Sequence, residues 1–143
     1  MSKPTICVSF DYEKDKLYRY LISAWNANPN IEFSIYDQTP NEIDTYSISR
    51  VKAVLTTKIR ESKGLVVLSG EDINKKHKDF NEIGCINWQN WECMKALEER
   101  KPIILIKLKS SNQIPEKLYG EIRTDITGFN EDEIIRTINR ICK

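Results

Sequence analysis

One histidine, five glycines and four cysteines are spread over 143 residues, and each shortage closes off a chemistry. With His77 alone, and no Cys-x-x-Cys pair among Cys7, Cys85, Cys93 and Cys142, ligands at zinc-site spacing are lacking and no metal is expected. A serine or cysteine nucleophile would have only His77 as its base, and no nucleophile elbow is present, which sets acyl transfer aside. The glycines form neither GxGxxG nor GxxxxGK(S/T), so a standard dinucleotide turn and the phosphate loop of an NTPase are both missing. No apolar run approaches the ~18 residues of a membrane helix. Basic residues outnumber acidic ones by 22 to 21, which gives no electrostatic footprint for nucleic acid. Met1-Ser2-Lys3-Pro4 opens without the apolar core of a secretory signal, and a reduced, cytoplasmic setting is expected.

What is present reads as one globular domain over residues 1–143, long enough to bury a core without a metal or disulfide staple. Residues 5–10, 33–36, 65–68 and 103–108 are short apolar or β-branched runs and are expected as strands, with a short edge strand near 122–126. Between them lie helical stripes. Leu17, Leu21 and Trp25, with Tyr18 and Ile22 beside them, mark the first; Ile48, Val51, Leu55 and Ile59 mark the second, with Gly64 as its stop. A helix from Trp88 to about residue 100 is the third. Asn130 with Glu133 forms a capping-box pattern ahead of Ile134, Ile138 and Ile141. Cys7 and Cys93 sit in apolar surroundings and are expected as small core residues.

Strands alternating with helices predict a flavodoxin-like, three-layer α/β fold: a doubly wound parallel five-stranded sheet of order 2-1-3-4-5. Ligands in such sheets sit beyond the carboxyl ends of the strands, at the switch between the first and third. The expected site therefore draws on Ser9-Phe10-Asp11-Tyr12, Asp37-Gln38 and Ser69-Gly70-Glu71. It also draws on Asn87-Trp88-Gln89-Asn90-Trp91-Glu92, where Trp88 and Glu92 stand four residues apart on one helical face. An aromatic wall beside a carboxylate suits cleavage of a glycosidic bond, whose transition state is oxocarbenium-like. Each feature has a plainer reading. Trp88 packs a core, Glu92 answers a helix dipole, Asp11 caps the first helix, and Lys75, Lys76, His77 and Lys78 form a solvated loop face.

The chain resembles the TIR (Toll/interleukin-1 receptor) domains, and more closely the prokaryotic TIR-like proteins of Thoeris-type antiphage systems. Thr5-Ile6-Cys7-Val8-Ser9-Phe10-Asp11-Tyr12 is similar to the opening strand of that family, and Phe33-Ser34-Ile35-Tyr36-Asp37 to its second strand. Residues 38–47 are similar to its BB loop, residues 59–70 to its third-strand segment, and Trp88-x-x-x-Glu92 to its tryptophan-to-glutamate spacing. The resemblance implies cleavage of the nicotinamide–ribose bond of NAD+, with NAD+ as substrate and no cofactor. Glu92 would be catalytic, and Ser9, Phe10, Asp11, Tyr12, Asp37, Ser69 and Trp88 substrate-binding. It further implies an ADP-ribose-derived messenger acting on a separate effector, and self-association through residues 38–47. Two other readings stand beside it: a non-catalytic self-associating scaffold, and an enzyme like the nucleoside 2-deoxyribosyltransferases.

Overall fold

The computed structural model describes residues 3–11, 14–36, 39, 40, 43 and 47–142. Its centre is a sheet of five parallel strands: β1 Thr5–Ser9, β2 Ser34–Tyr36, β3 Leu65–Ser69, β4 Ile103–Lys107 and β5 Thr124–Thr127, in the order β2-β1-β3-β4-β5. The helices are α1 Lys16–Ala27, α2 Ile48–Glu61, a short α3 Phe80–Ile83, α4 Trp88–Glu98 and α5 Glu131–Ile141. This is the doubly wound flavodoxin-like arrangement that the alternation of strands and helices predicts.

Strand alternation sorts the core into two layers. Ile6, Val8, Val66, Leu68, Ile104 and Ile106 face α1 and α5, whereas Cys7, Leu65, Val67, Ile103 and Leu105 face α2 and α4. Central strands covered on both sides need unbroken apolar runs, which is why β3 and β4 are legible without any alternation. Edge strand β2 is closed by a side chain of α1: Asn26 Nδ2 donates to Ile35 O at 3.1 Å, and Asn26 Oδ1 accepts from Ile35 N at 2.7 Å. Unpaired edge groups invite foreign strands, and this amide answers one residue's worth.

Three local expectations need correction. The buried side of α1 is Tyr18, Ile22 and Trp25; Leu17 is 69% and Leu21 45% exposed. Gly64 does not end α2, whose cap is Ser62 in an extended conformation. A side chain at Gly64 would instead collide with Cys142 Sγ and crowd Pro102 O, so the glycine permits a close approach. At α5, Asn130 Oδ1 accepts from Glu133 N at 3.0 Å, but the Asn130 amide donates to Gly128 O, so only half of a capping box forms.

Candidate active site

Ser9 and Ser69 end neighbouring strands with their side chains on the α2/α4 layer, where the alternation Cys7-Ser9 and Val67-Ser69 directs them. Their partners differ. Ser9 Oγ donates to Glu92 Oε1 at 3.1 Å, across 83 residues of chain. Ser69 Oγ donates to Gln113 O at 2.6 Å, and Ser69 O accepts from Asn112 Nδ2 at 2.9 Å, so this serine ties down the segment after β4.

Glu92 is only 6% exposed. Burial pushes its carboxyl up to about 8, against which the Ser9 hydroxyl pulls downward. A carboxyl raised that far is mostly neutral at pH 7. Its burial follows from position on α4. Asn87 caps that helix by accepting from Asn90 N at 2.9 Å. Trp88 opens the helix, and Glu92 lies one turn deeper, about 6 Å further along the axis.

A cavity of about 320 Å³ opens at this end of the sheet. Phe10, Asp11, Thr39, Pro40, Asp72, Asn87, Trp88 and Gln89 line it, together with residues 75–78. Trp88 and Glu92 do not share this space as their spacing predicts. Trp88 lines the cavity and meets Trp91 edge-on, with ring centroids 5.7 Å apart, while Glu92 is sealed against Ser9. Glu92, a turn further along the same face of α4, is covered by the end of β1 through Ser9. Phe10 packs mainly into the α1/α5 layer, with the Arg19 guanidinium 6.0 Å from its ring centroid, and still reaches the cavity. Asp11 lines the cavity and accepts from Lys14 N through Oδ1, capping the turn before α1. Tyr12, Asp37 and most of residues 38–47 lie outside the described residues.

The Asn87–Glu92 stretch stands out in the sequence for Trp88 and Glu92, but its amide side chains, given no role there, form the scaffold of the cavity. Asn90 is fully buried: its Nδ2 donates to Ile73 O and Asn74 Oδ1 at 3.1 Å, and its Oδ1 accepts from Lys117 N at 3.0 Å. Asn87 Nδ2 donates to Ile73 O at 2.7 Å and Lys75 O at 3.0 Å. Gln89 Nε2 donates to Leu68 O at 3.0 Å. Three polar residues at a helix start, Asn87, Gln89 and Asn90, were the available signal, because an amide side chain tolerates burial only when its groups are paired.

The family model described as Thoeris protein ThsB, TIR-like domain, matches residues 7–113, a span that contains every expected site residue. No curated protein matches the chain. Among solved structures, a prokaryotic SEFIR domain is similar with a TM-score of 0.59 at 12% identity, covering 98% of this chain and 99% of that one. A 2-deoxyribosyltransferase from Bacillus psychrosaccharolyticus is similar with a TM-score of 0.58 at 10% identity, covering 92% and 90% respectively. Likeness at such identities speaks for the fold alone.

Proposed function

This chain belongs to the TIR-like domain family of the Thoeris antiphage protein ThsB, and from that premise we propose that it cleaves NAD+ at the nicotinamide–ribose bond. The observation that carries the reading is the Ser9–Glu92 pair, a buried carboxyl with a hydroxyl donor next to an aromatic-lined cavity. As the bond breaks, its electron pair leaves with nicotinamide, and positive charge develops on the ribose. A nucleophile, water or another acceptor, then adds at the anomeric carbon and gives up a proton. An ionised Glu92 stabilises the ribosyl cation. The cationic nicotinamide ring of the bound substrate draws the carboxyl down from about 8, and the Ser9 hydroxyl favours the same ionised form. Substrate binding thereby makes the catalyst. The released ADP-ribosyl group supplies a messenger for a separate effector protein.

Purified protein is mixed with NAD+, with and without extract from phage-infected cells, and free nicotinamide is measured. Glu92→Gln lowers release by about 10³-fold under whatever condition activates the wild type. Equal turnover by wild type and variant under every condition would remove Glu92 from the reaction.

One observation favours a second reading. Glu92 does not line the cavity, as a chain signalling by self-association alone would allow. Such a scaffold keeps its signalling when Glu92 is replaced and loses it when residues 38–47 are changed.

A further inference from the structure

Charge is unevenly supplied around the cavity. Asp11 and Asp72 come from the ends of β1 and β3, while one segment contributes Lys75, Lys76, His77 and Lys78. The Asp72 carboxylate lies 4.0 Å from Lys14 Nζ, which partly answers it. None of the three lysines forms an ion pair with a described carboxylate. Lys76 Nζ instead rests 4.0 Å from the centroid of the Phe80 ring, a contact that holds the ammonium without neutralising it.

The segment is also pinned. Asn87 Nδ2 holds the carbonyls of Ile73 and Lys75, and His77 N donates to Ile86 O at 2.8 Å. His77 Nδ1 accepts from Asp79 N at 2.9 Å, which leaves Nε2 as the ring nitrogen able to donate outward. Three ammonium groups and an imidazole donor are thus gathered on a fixed backbone beside an aromatic wall. Like charges held together without direct ion-pair partners concentrate anions.

We propose that residues 75–78 grip the pyrophosphate of a dinucleotide, so that the cavity takes its substrate by the phosphates and discriminates against uncharged nucleosides. The inference rests on the NAD+ reading of this same cavity and names the part of the substrate that is recognised. Asp11 and Asp72 offer acceptors to sugar hydroxyls, which a cationic segment alone lacks.

Calorimetric titration of the full chain with ADP-ribose, inorganic pyrophosphate and adenosine tests it. ADP-ribose binds, pyrophosphate competes with it, and adenosine is weaker by about 100-fold or more. Lys75→Ala and Lys78→Ala each weaken ADP-ribose about three- to tenfold, the double variant by more than either alone, and rising salt weakens it further. Both lysines are exposed, so melting is unchanged. Lys63→Ala, beside the amino end of β1, leaves affinity as it was. No ADP-ribose binding to the wild type, full affinity in the double variant, or adenosine binding as tightly as ADP-ribose overturns the proposal. Nicotinamide release with an unchanged KM in the double variant also removes the grip while cleavage stands. Lysine-dependent ADP-ribose binding by a chain that never releases nicotinamide keeps the grip and removes cleavage.

Discussion

Two carboxyls are buried at the carboxyl edge of the sheet, Glu92 on the α4 side and Asp15 at the start of α1. Asp15 is 7% exposed, and its Oδ2 has no hydrogen-bond partner among the described residues. Burial first, then the charges of Asp11, Glu71 and Asp72, raise it to about 6. Glu92 rises to about 8 from burial alone, and its one counteracting influence is the Ser9 hydroxyl. Asp15 is therefore an acid crowded by other acids at a smaller cavity lined by Lys14, Tyr18 and Gly70. Glu92 is an acid kept neutral by dry surroundings, with a donor waiting for its ionised form. At pH 7 a carboxyl at about 6 is already mostly ionised and one at about 8 is not, so a cation arriving nearby changes the state of Glu92 and hardly that of Asp15.

Activity breaks the comparison most sharply. Glu92→Gln removes about 10³-fold of nicotinamide release, equivalent to about 4 kcal/mol of transition-state stabilisation. Asp15→Asn stays within about threefold of wild type in the same assay. Comparable losses in both variants would mean that burial, not the Ser9 pairing, marks the functional acid.

The next effect is on folding. A side chain on Gly70 would collide with the Asp15 carboxylate. Gly70→Ala forces the buried Asp15 side chain, or the backbone that carries it, to shift and costs about 2 kcal/mol in denaturant unfolding. Combined with Asp15→Ala, which vacates the space, the cost falls below that of the two changes summed. Additive costs would show that Asp15 and Gly70 do not share one packing site.

Stability against pH distinguishes the two carboxyls by window. Each is raised on folding, so the native state holds its proton more tightly than the unfolded chain does. Stability is then complete below the unfolded value and falls as pH rises towards the folded one. For Asp15 the fall runs from about 4 to about 6, and for Glu92 from about 4.5 to about 8. Asp15→Asn gains over wild type as pH rises from about 4, and the gain is complete by about pH 6. Glu92→Gln gains over a wider window, and its advantage is still growing up to about pH 8. Urea unfolding from pH 4 to pH 9 reads both; identical windows would contradict the difference in surroundings.

What the sequence made legible follows the same division between local and distant causes. The strands β1, β3 and β4 and the α2 stripe of Val51, Leu55 and Ile59 were readable because their burial is written in nearest neighbours. Helix α1 carries two adjacent apolar stripes, and only the placement of the sheet selects Tyr18, Ile22 and Trp25 over Leu17 and Leu21. Gly64 answers to Cys142, far along the chain, so its reason is invisible locally. The Trp88-to-Glu92 spacing pointed to α4, where Trp88 lines the cavity and Glu92 is buried against Ser9, a difference set by what packs over each side chain and not by their spacing. Lys75, Lys76 and Lys78 read as a solvated face because the cavity they line is assembled from four separated segments. Asp15 carries no local signal, since what raises it is burial first, then Asp11 nearby in the chain, and then Glu71 and Asp72 from beyond the end of β3.

The smallest effect bears on the Ser9 bond itself. Ser9 lowers the Glu92 carboxyl by donating to it, so Ser9→Ala raises that group further above about 8. The pH dependence of kcat/KM reports groups of the free enzyme, so its acidic limb lies near 8 in the wild type and at higher pH in the variant. The limb of kcat lies lower in both, because the bound nicotinamide cation favours the ionised carboxylate. At pH 7 the variant is slower in kcat/KM by roughly three- to tenfold, consistent with the loss of one hydrogen bond to a charged group. Raising the pH recovers most of this deficit, and Ser9→Thr, which keeps the hydroxyl, shows little of it. A merely structural Ser9 would give a deficit that stays constant with pH, and the acidic limb would not move.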